Sequence, residues 1–386
     1  MLLVGIDVGG TQVKVGLIEN GQIIRNMSVA TNAFDVIKQL CNSVREILQM
    51  EGREFEELRG VAVGFPGMII GDVVKDSPNI GLRDCNLKEV IEEELKVPVV
   101  VRNDANMAAI AEQKLGAGEG CKNMLYLSFG TGLGGGIVIN GELYEGNGGA
   151  GEVGHIILEQ GGKPCGCGRS GCAEQYVSMK ALSDLAKEVK KGYPDSCVTE
   201  NIDGTIYASE LVRAYKRNDA CAREVIDKYV NWVSQYLLNL CNLFRPEKII
   251  IGGGITYAPE IIEMAAKACR EASFGYKNSP NVEIVPAKLG NNAGILGAVV
   301  FFENESAEIF SNTDKDRDTF EEFVSASKTE KEESASNDDS YESADVMDRL
   351  ESLTTRVDEV SDDGESEVVY DEALLNRVNE MLKQKD

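Results

Sequence analysis

Hydrophobic positions in this chain fall into short strand-like runs separated by stretches with helical spacing. Residues 2–7 read LLVGID, and residues 124–129, MLYLSF, open a second segment of the same layout. Each run leads into a glycine-rich turn, another apolar run, an Asn-Gly pair (Asn20-Gly21 and Asn140-Gly141) and a third run. Asn-Gly between apolar segments signals a two-residue hairpin, because both central positions need positive φ. Two such β-units suggest a duplicated core. Around them, the spacing predicts helices near 33–50 and 87–95, strands at 61–65 and 97–101, and a helix opening at Asn103-Asp104. Further helices are expected near 178–191, 207–216 and 218–243, the last ending before Arg245-Pro246. The strand KIIIG (248–252), a helix, the strand VEIVPA and a helix over about 292–302 complete the pattern. Strands alternating with helices mean an α/β fold with largely parallel sheets.

The pattern dissolves past about residue 304. Residues 303–345 are rich in Ser, Asp, Glu, Thr and Asn, which predicts disorder. Val346, Leu350, Leu353, Val357 and Val360 form a heptad seam too short for a coiled coil, and Tyr370, Leu374, Val378 and Leu382 mark a second amphipathic stretch. These read either as transient helices in a solvated tail or as a docking helix for a partner or a second copy.

Composition narrows the setting. A chain of 386 residues, 43% hydrophobic, is long enough for two globular domains. No run of 18 apolar residues predicts a membrane span. The N-terminal MLLVGID lacks a basic leader, and ten scattered cysteines read as reduced thiols, so a cytoplasmic protein is expected. The net charge is −25, and residues 303–386 hold 27 acidic and 9 basic side chains of that total. Such acidity disfavours nucleic-acid binding, which rests on phosphate neutralisation by Lys and Arg.

The densest chemistry lies at 149–176. His155, the only histidine, precedes Cys165, Cys167 and Cys172. One imidazole and three thiolates form a complete tetrahedral ligand set for structural zinc. The alternative is a core histidine beside incidental cysteines. Three glycine-rich turns follow strands: Asp7-Val8-Gly9-Gly10-Thr11, Gly130-Thr131-Gly132 and Gly252-Gly253-Gly254. Bare backbone N–H groups approach anions closely, and Asp7 at a strand end could hold Mg²⁺ through water. The first turn enters another strand, so it is neither a Walker loop nor a Rossmann fingerprint. Asp104, after a strand and at a helix start, is a candidate base or an ordinary N-cap. Glu152 and Glu174 flank the cysteine cluster, and Gly67 and Asn79 sit in turn-rich strand ends nearby.

Seven pieces, DVGGT (7–11), GFPG (64–67), NDAN (103–106), GTGLGGG (130–136), GEVGH (151–155), CGCGRSGC (165–172) and IGGG (251–254), together resemble the ROK family of repressors, open reading frames and kinases. The resemblance covers residues 1 to about 303 and implies a two-domain actin-like ATPase (RNase H-like) fold with a cleft. Residues 1–116 with 291–303 would form the smaller domain, 117–290 the larger, and 304–386 an acidic tail. It further implies ATP-dependent phosphorylation of a hexose, glucose foremost, with N-acetylmannosamine, N-acetylglucosamine, fructose or allose as alternatives and ATP preferred over polyphosphate. Asp104 matches the family's general base. Gly67, Asn79, Asn103, Asp104, Glu152, His155 and Glu174 become sugar contacts. Asp7, Gly9, Gly10, Thr11, Gly130, Thr131, Gly132, Gly253 and Gly254 become nucleotide and Mg²⁺ contacts. Zn²⁺ would be structural, on His155, Cys165, Cys167 and Cys172, and the assembly a homodimer. The family's repressors carry a helix-turn-helix before the first hairpin; with Asp7 this early, none is expected here. Arg102 departs from the family pattern, standing where many relatives carry Glu, as do Ala173 and Arg83-Asp84-Cys85.

Overall fold

The computed structural model describes residues 1–275, 278 and 280–309; the expected tail, its heptad seam and its second amphipathic stretch lie outside these residues. In chain order come β1 (Leu2–Val8), β2 (Gln12–Glu19), β3 (Gln22–Ala30), α1 (Val36–Met50), β4 (Leu58–Phe65), β5 (Met68–Ile70), β6 (Val73–Ser77), β7 (Leu82–Asn86), α2 (Leu87–Leu95), β8 (Val99–Asn103) and α3 (Asp104–Leu115). Then follow β9 (Met124–Phe129), β10 (Leu133–Ile139), β11 (Glu142–Leu143), α4 (Glu174–Val177), α5 (Met179–Lys190), α6 (Ala208–Lys216), α7 (Ala220–Phe244), β12 (Lys248–Gly253), α8 (Pro259–Ala272), β13 (Glu283–Pro286) and α9 (Ala293–Ile309).

Two five-stranded sheets share one topology, β3-β2-β1-β4-β8 and β11-β10-β9-β12-β13. In each, the first three strands are antiparallel and the last two run parallel to the first. The duplication expected from the hairpins therefore extends to the whole sheet. Asn20 and Gly21 have φ of 51° and 77°, and Asn140 and Gly141 have 56° and 87°, so both Asn-Gly pairs make the left-handed turn that closes a hairpin.

Helices α3 and α9 fill the layer between the sheets, packed against each other. Met107, Ile295, Ala298, Val299 and Phe302 bury against the first sheet, and Ala108, Ala109, Ala111, Ala293 and Val300 against the second. Small residues on α3 permit this close approach. Helices α1 and α2 cover the outer face of the first sheet. In α1, Val36, Leu40, Val44 and Ile47 bury one stripe at helical spacing. Helices α5, α6, α7 and α8 cover the second sheet in the largest core. Asp219 caps α7 by accepting from Ala222 N at 2.9 Å. The helix ends at Arg245, whose φ of 42° is left-handed, directly before Pro246.

Three features differ from the sequence expectation. A small antiparallel sheet, β5-β6-β7, spans residues 68–86, where the pattern showed only turns. Its strands are short and carry charged edges such as Lys75, Asp76, Arg83 and Asp84, so no apolar run marks them. Strand β8 runs two residues further than expected: Arg102 and Asn103 pair with Gly64 and Phe65 despite their polar side chains. The short helix α4, four residues long, was not marked by any periodicity.

Candidate active site and metal cluster

Asp104 sits where β8 turns into α3, and the cap ambiguity there is settled by its neighbour. Asn103 takes extended backbone, and its Oδ1 accepts from Asn106 N at 3.1 Å, so Asn103 is the N-cap. Asn103 Nδ2 also donates to Gly67 O at 3.1 Å, tying the helix start to the β4–β5 turn. Gly67 is required there: its φ is 105°, and a Cβ would lie 2.3 Å from Asp76 O. Asp104 is thus released from capping, and its Oδ1 accepts from the adjacent Ala105 N at 2.9 Å. Its carboxyl is pushed up to about 7, first by burial and then by the like charges of Asp7 and Glu152. The three carboxylates come from three separated segments, and the charges of Asp7 and Glu152 both act on Asp104.

Asp7 ends β1 beside the first glycine turn. A methyl at Gly294, in the first turn of α9, would lie 2.8 Å from Asp7 Cγ, so that glycine lets α9 approach the carboxylate. Burial raises the Asp7 pKa, opposed by Lys14, whose Nζ stands 3.5 Å away. In the turn itself, Thr31 Oγ1 donates to Gly9 O at 2.7 Å, while Gly10 and Thr11 are exposed. A Cβ at Gly10 or Gly130 would meet nothing within 4 Å, while Gly9 N donates to Gln12 O at 2.8 Å and Gly130 N to Gly132 O at 3.0 Å within the turns. The second turn is anchored differently. Glu174 Oε2 accepts from Leu133 N at 3.0 Å, and a Cβ at Gly132 would strike that oxygen at 2.6 Å. Gly130 O accepts from Met179 N at 2.9 Å, while Thr131 is exposed. Gly253, with φ of 81°, crosses tightly over Phe129, and Gly254 begins the short 3₁₀ turn after β12.

A concavity open to solvent lies at the start of α3. Gly67, Asn103 and Glu152 line it together with Ile69, Arg102, Asn106, Glu145, Gly149 and Ala150. Asn79 is exposed in the β6–β7 turn and is not among these residues. Asn106 went unremarked in the sequence, although it lies three residues after Asn103 on the same face of α3. It is 6% exposed, and its Oδ1 is buried with no donor from the chain. Arg102 bonds Asp72 Oδ1 at 3.1 Å and lies 5.8 Å from the Phe301 ring.

Beyond Glu152 lies the sulfur cluster. The ligand atoms of His155, Cys165, Cys167 and Cys172 all fall within 4.8 Å of one another. Tetrahedral zinc with Zn–S bonds of about 2.3 Å places sulfurs about 3.8 Å apart. Cys167 Sγ and Cys172 Sγ are 3.6 Å apart, so the donor set and spacing fit zinc. His155 Nδ1 faces Cys165 Sγ at 3.7 Å, and Nε2 faces Glu152 Oε2 at 3.9 Å. The imidazole therefore presents one nitrogen to the sulfurs and the other to the cavity wall. Hydrogen bonding, first from the Arg169 backbone, lowers Cys167 to about 6, which favours the thiolate that a metal needs. Glu152 is raised by partial desolvation and by Glu174, against the pull of His155. Glu174 Oε1 lies 4.0 Å from Cys165 Sγ, so this residue links the cluster to the second glycine turn. Tyr176 OH accepts from Lys163 N at 2.6 Å and its ring lies 4.6 Å from Trp232, joining the cysteine loop to the α7 core.

Comparison with known proteins identifies the family. The ROK family profile matches residues 3–305. A glucokinase of Halalkalibacterium halodurans is 37% identical over 305 residues, covering 76% of this chain and 92% of its own. A glucokinase of Streptomyces coelicolor is 34% identical over 310 residues, covering 77% and 96%. Among solved structures, a ROK family glucokinase from Streptomyces griseus, in complex with glucose and AMPPNP, superposes with a TM-score of 0.70 at 33% identity, covering 78% of this chain and 99% of its own. On profile, sequence and fold together, the chain belongs to the ROK family.

Proposed function

We propose that this chain transfers the γ-phosphoryl group of ATP to a hydroxyl of a hexose, with glucose as the preferred acceptor. The observation that carries the reading is Asp104: a carboxyl freed from capping, next to a concavity lined by polar groups, with its pKa raised to about 7. The names of the relatives support glucose among the hexoses.

In this reading the sugar lies in the concavity between Gly67, Asn103 and Glu152, with His155 Nε2 and Glu174 towards its far side. Asp104 accepts the proton of the attacking hydroxyl while that oxygen forms its bond to the γ-phosphorus. The bond from phosphorus to the bridging oxygen breaks, and ADP leaves with the electron pair. A base with a pKa near the working pH is the efficient choice. Phosphoryl transfer otherwise depends on positioning and charge stabilisation. The glycine turns at Gly9, Gly10, Thr11, Gly130, Thr131 and Gly132 would cradle phosphate oxygens, with Gly253 and Gly254 beside the nucleoside. Asp7 would hold Mg²⁺, which neutralises charge on the nucleotide when bound. His155, Cys165, Cys167 and Cys172 would hold zinc as a structural brace, fixing the loop that carries Glu152 and His155. Residues 1–116 with 291–303 would move as one domain against 117–290.

The test is ADP release with a panel of glucose, N-acetylmannosamine, N-acetylglucosamine, fructose and allose, using ATP or polyphosphate as donor. Saturable turnover with glucose and ATP, at the highest kcat/KM of the panel, is the expected result. A higher kcat/KM for another sugar replaces glucose, and no turnover with any sugar removes the reading.

A further inference from the structure

Among the described residues the chain passes between the two main sheets twice. The first passage runs from α3 into β9 through residues 116–123, and the second from β13 into α9 through residues 287–292. Glu112, in the last turn of α3, is fully buried. Its Oε2 accepts from Ala117 N at 2.8 Å and from Lys288 N at 3.2 Å. Its Oε1 accepts from Leu289 N at 2.7 Å. One carboxylate thus clasps both passages. A carboxylate is a pure acceptor, with room for about four donors, so three backbone N–H groups suit it. Gly116 makes the clasp possible: a Cβ there would lie 2.9 Å from Glu112 Cα, and nearer still to the carboxylate.

Of the elements joined this way, α3 carries Asp104 and α9 lies against Asp7 of β1. Asp104 is the first residue of α3, while Gly294, two residues past the second passage, lies against Asp7. Slippage of the 287–292 segment along α3 would alter the approach of α9 to Asp7 while leaving Asp104 on its helix. Glu112 itself touches neither the concavity nor the glycine turns.

We propose that Glu112 is a positioning residue that pins both passages at one pivot, so that relative motion of the two halves brings the second glycine turn into register with Asp104 and Asp7. The proposal rests on the phosphoryl-transfer reading above. Glu112→Gln keeps the shape but turns one acceptor into an NH₂ donor facing backbone N–H groups. Misplacement of reacting groups by about 1 Å costs on the order of 100-fold in rate.

The experiment measures sugar phosphorylation and sugar-independent ATP hydrolysis by wild type and Glu112→Gln. The expected result is a kcat for sugar about 10- to 100-fold lower, with KM for ATP within about threefold. The share of ATP hydrolysed without sugar rises several-fold, which a simple loss of folded protein would not produce. A folded variant with wild-type kcat and an unchanged hydrolysis ratio overturns the pivot. Wild type that phosphorylates no sugar overturns the functional reading instead. Hydrogen exchange on wild type supplies a measurement that needs no variant. The amides of Ala117, Lys288 and Leu289 are expected to exchange slowly with and without sugar, while residues 145–151 gain protection when sugar binds. Fast exchange at those three amides overturns the pivot.

Discussion

The β1–β2 and β9–β10 hairpins occupy the same place in two sheets of identical strand order, yet their surroundings differ. The first ends on its own carboxylate, Asp7, with Lys14 beside it and α9 pressed close. The second carries no acid of its own: Glu174, 41 residues on, reaches back to Leu133 N and lies next to Cys165. Duplication supplied two equivalent scaffolds. One holds a carboxylate of its own, and the other is held by a carboxylate from α4 that lies next to the cysteine cluster. The asymmetry follows from what each hairpin packs against, since the ladders themselves are alike.

The comparison can be broken from either side. The largest effect is expected from Asp7→Asn: kcat with Mg-ATP falls about 100-fold or more, because charge stabilisation dominates phosphoryl transfer. Steady-state kinetics should show sugar KM little changed. Next, Cys167→Ser should lose zinc by elemental analysis and raise sugar KM about 10- to 100-fold, as the loop of Glu152 and His155 loosens. Trp232, the only tryptophan, packs against Tyr176 with ring centroids 4.6 Å apart and so should report the loosening by fluorescence. Unchanged KM in zinc-free protein would detach the cluster from the pocket.

A smaller effect concerns stability. Asp104 titrates near 7 when folded, against an ordinary value of 3.8. Between those values the folded state holds a proton that the unfolded state has released, so wild type loses stability as pH rises through the window. Asp104→Asn has no such loss. Its unfolding free energy should exceed that of wild type by roughly 1–3 kcal/mol at pH 8 and approach it near pH 4, measured by denaturant titration. No pH dependence in the difference would contradict the raised carboxyl. Least of all, Asn79→Ala should change sugar KM by less than about threefold, since Asn79 is exposed and off the concavity wall. A larger rise would place the β6–β7 turn over the bound sugar.

Much of this was legible in the sequence. The Asn-Gly turns marked the hairpins because their geometry is local, and α1 and α7 showed helical spacing, the second ending before Arg245-Pro246. His155 and the three cysteines were legible because metal chemistry restricts ligand type. The β5–β7 sheet was hidden because its strands are short and edged with charge. The role of Asn103 as cap could not be separated from that of Asp104, since either side chain can accept from a helix N-terminus. Glu112 was invisible as a clasp: its partners Lys288 and Leu289 lie 176 and 177 residues away. Contacts of that span leave no periodicity to read.

The central claim is that Asp104 takes the proton from a sugar hydroxyl. The most direct measurement is glucose-dependent ADP release by wild type and Asp104→Ala, both confirmed folded and zinc-loaded, at pH 8. The expected result is saturable turnover in wild type and a kcat lower by about 100- to 10,000-fold in the variant. Undiminished turnover in the variant would contradict it.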